Sequence, residues 1–206
     1  MTHSRLDPPM FVLERRPEEI WKQKIFCVLS SQYSAHKAAS IAGKLIEEVS
    51  FYSLPFPRIE EACFALLSSP QIGYRFPSVR AKQISLCWFL FLQIKDTYHE
   101  YVGSFGTEER ARSEIAHTFP GMGLKQASMF LRNIGACKNL SVIDVHVLHY
   151  LHACHGWEVD ALTPKRYLEA EDILRGDALR YGVALNVFDA VVWAATRALK
   201  RITPHV

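Results

Sequence analysis

Apolar residues recur every three to four positions along nearly the whole chain, and strict alternation of apolar and polar residues rarely lasts beyond a few positions. That period is the signature of helices, not strands. Ile20, Trp21, Ile25, Phe26 and Leu29 make the first apolar stripe, with Pro17 suited to a first turn, which predicts a helix over 17–29. Ser30-Ser-Gln-Tyr-Ser34 interrupts it. A second helix starts near Ser34 and continues through Ala38, Ile41, Ala42, Leu45 and Ile46 until Leu54-Pro-Phe-Pro57 ends it. Further helices are expected at 58–67, 79–93, 107–118, 124–134, 145–152, 164–181 and 186–199, joined by short connections. The fold class is all-α, a two-lobed helical bundle forming one domain over 1–206. Breaks between lobes are expected near 74–78 and 155–163, setting a lobe of 75–155 against one drawn from about 1–16 and 156–206.

Composition narrows this picture. With 49% hydrophobic, 12% aromatic and 22% charged residues, the chain has enough apolar surface to offset the entropy of ordering, so a packed globule is expected. The formal charge of +3 neither requires nor excludes a polyanionic partner. No apolar run approaches the roughly 20 residues that span a bilayer, and Met1-Thr-His-Ser-Arg-Leu-Asp-Pro-Pro9 lacks the apolar centre of a secretory signal. A soluble, cytoplasmic protein is expected, with the first dozen residues loosely ordered. Cys27, Cys63, Cys87, Cys137 and Cys154 are widely spaced in apolar stretches, which suits reduced core thiols and gives no metal-ligand spacing. No metal is expected.

The chemistry concentrates in two segments. In His117-Thr-Phe-Pro-Gly-Met-Gly-Leu-Lys-Gln-Ala127, Pro120 stops one helix while Gly121 and Gly123 bracket Met122 in a turn able to take positive φ and to present bare N–H groups. N–H groups at a helix start bind phosphate. Lys125 falls in the first turn of the next helix, where the dipole disfavours a cation, a setting suited to a nucleophilic amine. An exposed surface lysine is the plain alternative. Nineteen residues on, Val142-Ile-Asp-Val-His146 places Asp144 to cap the helix that follows. A cap there also holds a carboxylate where it can stabilise a developing positive charge.

Gly121-Met-Gly-Leu-Lys125 followed by Val142-Ile-Asp-Val-His146 resembles the helix-hairpin-helix plus aspartate signature of the endonuclease III and 8-oxoguanine DNA glycosylase superfamily. The chain is similar over nearly its whole length to the compact type-2 branch of 8-oxoguanine DNA glycosylase/AP lyases. Ile25-Phe-Cys-Val-Leu-Ser-Ser-Gln-Tyr-Ser-Ala35, Gly73-Tyr-Arg-Phe76 with Arg80-Ala-Lys82, Lys165-Arg-Tyr-Leu-Glu169 and Asp189-Ala-Val-Val-Trp193 carry this similarity. The resemblance implies a bifunctional N-glycosylase and lyase excising oxidised guanine, with Lys125 as nucleophile and Asp144 as its electrostatic partner. It implies that Gly121, Met122 and Gly123 grip the DNA backbone, that Gln32 fills the gap left by a flipped nucleotide, and that Phe188, Asp189 and Trp193 line the base pocket. The implied partner is double-stranded DNA carrying a damaged base, met by a monomer. No cofactor is implied, although the hairpin leaves room for a monovalent cation. Departures are the missing cysteine cluster of the endonuclease III branch, a length too short for the extra N-terminal domain of eukaryotic members, and an ending, Arg201-Ile-Thr-Pro-His-Val206, without the terminal lysine of some relatives. Two other readings stay open: a glycosylase-like protein of a bacterial antiphage system acting on a modified guanine or a non-DNA conjugate, and a noncatalytic DNA-binding helix-hairpin-helix module.

Overall fold

The computed structural model describes residues 16–202, so the expectation for the first dozen residues, the 1–15 part of the proposed lobe and the end of the chain from residue 203 lie outside it. Among the described residues ten helices follow one another: α1 (Pro17–Leu29), α2 (Ala35–Glu48), α3 (Phe56–Ser68), α4 (Pro77–Leu92), α5 (Tyr98–Gly103), α6 (Glu108–Thr118), α7 (Leu124–Asn133), α8 (Val145–His155), α9 (Pro164–Arg180) and α10 (Leu185–Ile202). Nine of them answer to the stripes in the sequence. The main differences at their ends have local causes. Proline in the first turn starts α3 and α4 two residues earlier than expected, and α8 runs on to Gly156, whose φ of 61° forms a left-handed cap. The six-residue α5 has no counterpart in the reading above, being too short for a helical period to show.

Buried side chains sort into two clusters. The first runs from Ile20 to Val142 and is built by α1 to α7; the second, from Ile143 to Val192, is built by α8, α9 and α10. Around Trp21, the rings of Phe51, Trp88 and Phe91 lie with centroids 5.3, 5.0 and 5.7 Å away, a dense aromatic centre for the first cluster. The boundary between lobes therefore falls at Val142/Ile143, two residues before Asp144, and not at 74–78 or 155–163. Tyr74 is held to the first lobe by its hydroxyl, which donates to Leu29 O at 2.6 Å. After Gly156 the chain turns back, Trp157 N–H bonding Leu151 O at 3.2 Å, so α9 packs on α8 within one lobe.

Polar side chains cross this seam. Arg112 on α6 and Glu171 on α9, each 2% exposed, pair at 2.7 Å, and the same carboxylate accepts from Ser141 N–H at 2.9 Å. Tyr167 donates to Ser141 O at 2.8 Å. A pair buried this deeply repays its desolvation only through such additional hydrogen bonds. One charge sits inside a stripe where none was expected: Lys24 is fully buried, its Nζ 3.2 Å from the Phe119 ring centroid and without a hydrogen-bond partner. Burial lowers its pKa to about 7. Among the cysteines Cys27, Cys63, Cys87 and Cys137 are buried thiols, whereas Cys154 on α8 is exposed, which the apolar surroundings in sequence did not show.

Candidate active site

The turn between α6 and α7 is the glycine hairpin. Gly121 takes φ 81°, the left-handed region open to glycine, and a Cβ there would lie 2.6 Å from Gln83 Oε1, itself held by Arg80 Nη1 at 2.6 Å. Gly123 does not need positive φ: at φ −83°, ψ −174° it is extended and serves as the N-cap of α7. Glycine has no side chain to accept from the first turn, so the leading N–H groups of α7 remain without a side-chain cap. Met122 is 2% exposed, its N–H bonding Phe119 O at 3.2 Å, so it anchors the hairpin in the first core. The bare helix start is the part suited to an anion.

From that hairpin α7 carries Lys125 into a cleft of about 870 Å³ between the lobes. Its floor is one face of α7, with Lys125, Met129, Arg132 and Asn133; Asp144 and His146 enter from the start of α8, and Asp189, Trp193 and Arg197 from α10. The segment between α1 and α2 closes the rim with Gln32 and Tyr33. Asp144 Oδ1 accepts from His146 N–H at 2.9 Å and Val147 N–H at 3.1 Å, so the expected cap is formed and fixes the carboxylate at the junction of the lobes. The His146 ring stands edge-on to Trp193 with centroids 5.8 Å apart, and the Arg197 guanidinium lies over the Trp193 ring, 4.8 Å from its centroid.

Asp189 is 1% exposed, and both its hydrogen bonds end on Oδ2, from Arg132 Nη1 at 2.6 Å and Val142 N–H at 3.1 Å. Burial raises its pKa to about 6, with Arg132 pulling the other way. Gln32 is exposed and has φ 56°, the only non-glycine positive φ among the described residues. Two clamps hold the backbone just before that conformation: Tyr74 on Leu29 O and Arg80 Nη2 on Ser31 O at 3.4 Å.

Lys125, Asp144, Gln32, Asp189 and Trp193 thus share one cleft, while Gly121, Met122 and Gly123 lie just outside it, one turn before Lys125. Phe188 is placed elsewhere. It is 8% exposed in the second core, stacked on Tyr181 at 5.7 Å and edge-on to Tyr150 at 5.9 Å, because Leu185, Phe188 and Val192 form the inward stripe of α10. The sequence reading missed Met129, Arg132 and Asn133, which follow Lys125 by four, seven and eight residues and so share its helical face, a signal present in the spacing. Arg197, four residues after Trp193 and eight after Asp189, carried the same signal, whereas His36 carried none. Among the described residues no group of three or more His, Cys, Asp or Glu side chains is arranged to hold a metal ion.

A glycine hairpin leading a lysine into an interlobe cleft, opposite a capping aspartate, on an all-helical two-lobed scaffold, defines a helix-hairpin-helix DNA glycosylase architecture. The family model for 8-oxoguanine DNA glycosylase matches residues 8–183, and the chain belongs to that family. It is 33% identical over 185 residues to the 8-oxoguanine DNA glycosylase/AP lyase of Korarchaeum cryptofilum, covering 89% of this chain and 82% of that one. The crystal structure of the Methanocaldococcus jannaschii 8-oxoguanine glycosylase/lyase in complex with a 15mer DNA containing 8-oxoguanine superposes with a TM-score of 0.71 at 29% identity, over 87% of this chain and 81% of that one. The 8-oxoguanine DNA glycosylase of Thermotoga maritima gives 0.68 at 27% identity, over 87% and 80%.

Proposed function

We propose that this protein excises 8-oxoguanine from double-stranded DNA and then nicks the strand by β-elimination through a lysine Schiff base. The observation that carries the reading is the convergence of Lys125 and Asp144 in one cleft between the lobes of a family member. The uncapped start of α7 and the hairpin before it bind backbone phosphate, while Gln32 occupies the space vacated by the flipped nucleotide. The Lys125 amine attacks C1′; the C1′–N9 bond breaks and its electron pair leaves with the base, which takes up a proton. Asp144 stabilises the positive charge that develops on the sugar as this bond breaks. Loss of the amine proton with ring opening gives the imine. Removal of a C2′ proton then expels the 3′ phosphate, and water later releases Lys125.

No single helix among the described residues is long and apolar enough to cross a membrane, and the reading places the protein with the nucleoid, acting as a monomer. The test is a panel of lesion-bearing duplexes assayed for base release and for strand cleavage separately. Excision of 8-oxoguanine that is abolished by Lys125→Ala supports the proposal. Cleavage at a preformed abasic site without release of 8-oxoguanine would keep the lyase and replace the substrate, as a role in antiphage defence on another modified guanine requires. Binding without either reaction would leave a DNA-binding module.

A further inference from the structure

The floor of the cleft has a second cation whose place along α7 matches the size of a nucleoside. Arg132 follows Lys125 by seven residues, nearly two full turns, so the two side chains leave the same face of the helix with about 10.5 Å of rise between them. Met129, 9% exposed, lies between them and offers an apolar surface. A nucleotide with C1′ at Lys125 therefore lays its purine over Met129 with the far edge toward Arg132, while Trp193 stands across the cleft. Arg132 is 29% exposed, lines the cleft and binds Asp189 through Nη1, which leaves the rest of its donor fork for a ligand there. Asp189, 1% exposed and itself tied to Val142 N–H, anchors one end of the guanidinium.

We infer that Arg132 is a specificity-determining residue that donates to a carbonyl oxygen on the outer edge of an oxidised guanine, with Asp189 as its positioning residue. This rests on the reading of the protein as an 8-oxoguanine glycosylase. A guanidinium donates from a rigid plane and accepts nothing, so it matches the C6 carbonyl oxygen on that far edge and opposes the C6 amino group of an adenine. An apolar wall with one oriented donor set discriminates by the penalty of leaving that donor unmatched. Lysine in its place keeps a charge for Asp189 but loses the planar fork.

The experiment compares single-turnover base release from duplexes bearing 8-oxoguanine or 8-oxoadenine with strand cleavage at a preformed abasic site, which involves no base. It uses the full chain, Arg132→Lys, and the double variant Arg132→Gln with Asp189→Asn, which keeps neutral hydrogen-bonding partners at the seam should the single variant fold poorly. The expected result is that the ratio of 8-oxoguanine release to abasic-site cleavage falls by about tenfold or more, and that the preference over 8-oxoadenine narrows by a similar factor. A ratio and a preference that stay within about twofold of the parent would overturn the assignment and leave Arg132 a structural partner of Asp189. Should the unmodified protein cleave the abasic duplex yet release no 8-oxoguanine, the substrate reading itself fails and the role of Arg132 falls with it; that outcome is told apart because it appears in the parent.

Discussion

Under the proposed function Asp144 serves structure and chemistry at once, since the oxygen that caps α8 belongs to the carboxylate of a cleft residue. The two can be separated because asparagine caps a helix about as well as aspartate. Asp144→Asn is expected to keep thermal stability within about 0.5 kcal/mol while slowing base release strongly, as followed by denaturation and single-turnover kinetics side by side. Gln32 offers the opposite separation. Its φ of 56° costs an L-residue roughly 1–2 kcal/mol, so Gln32→Gly is expected to leave the fold as stable or more so, yet to weaken excision because the side chain is gone. Gly121→Ala, in contrast, combines a positive φ with a Cβ 2.6 Å from Gln83 Oε1 and should destabilise by about 1–2 kcal/mol in urea unfolding. The cap at Asp144 and the glycine at 121 were legible in the sequence from residue type and spacing. The strain at Gln32 was not, because it depends on Tyr74 and Arg80 holding carbonyls from 45 and 49 residues away.

Among the elements, α7 and α10 show how far a helical pattern reads. Once α10 is placed, Leu185, Phe188 and Val192 are its inward stripe, and Asp189, Trp193 and Arg197 another face; the sequence gives the spacing but not which stripe meets the cleft. On α1 the stripe reads Ile20, Trp21, Ile25 and Leu29 but neither Val28 nor the buried Lys24, whose surroundings come mostly from elsewhere: Phe119 from the hairpin, Phe130 from α7, Tyr98 from α5 and the Cys87 thiol from α4, beside Cys27 on α1 itself. Burial lowers the Lys24 pKa from 10.5 to about 7 in the folded protein. Between those values the unfolded chain holds a proton that the native one has lost, so stability rises with pH from about 7 to 10.5, and below 7 the full penalty applies. Replacing Lys24 with methionine should therefore raise stability at neutral pH and reduce the slope of unfolding free energy against pH by up to about 1.4 kcal/mol per unit between pH 7 and 9, measured in urea.

For the whole molecule, the cleft exists because two separately packed cores meet along a polar seam. Helical class and nearly every helix were visible in the chain, yet the lobe boundary was not: it falls inside the extended Val142-Ile143 approach, where hydrophobicity is continuous and only three-dimensional packing assigns the two residues to different cores. Arg112 and Glu171 lock that seam, 59 residues apart in sequence. Glu171→Gln leaves Arg112 buried without its counter-charge and should cost about 3–5 kcal/mol in unfolding experiments, lowering excision through the same loss of lobe alignment. The central claim is narrower: Lys125 forms the covalent bond to the sugar. Borohydride reduction during reaction with a duplex containing 8-oxoguanine, followed by peptide mapping of the trapped complex, tests it directly. The adduct is expected on Lys125 and is expected to vanish in Lys125→Ala; an undiminished adduct in that variant, or one mapped to another lysine in the unmodified protein, would contradict it.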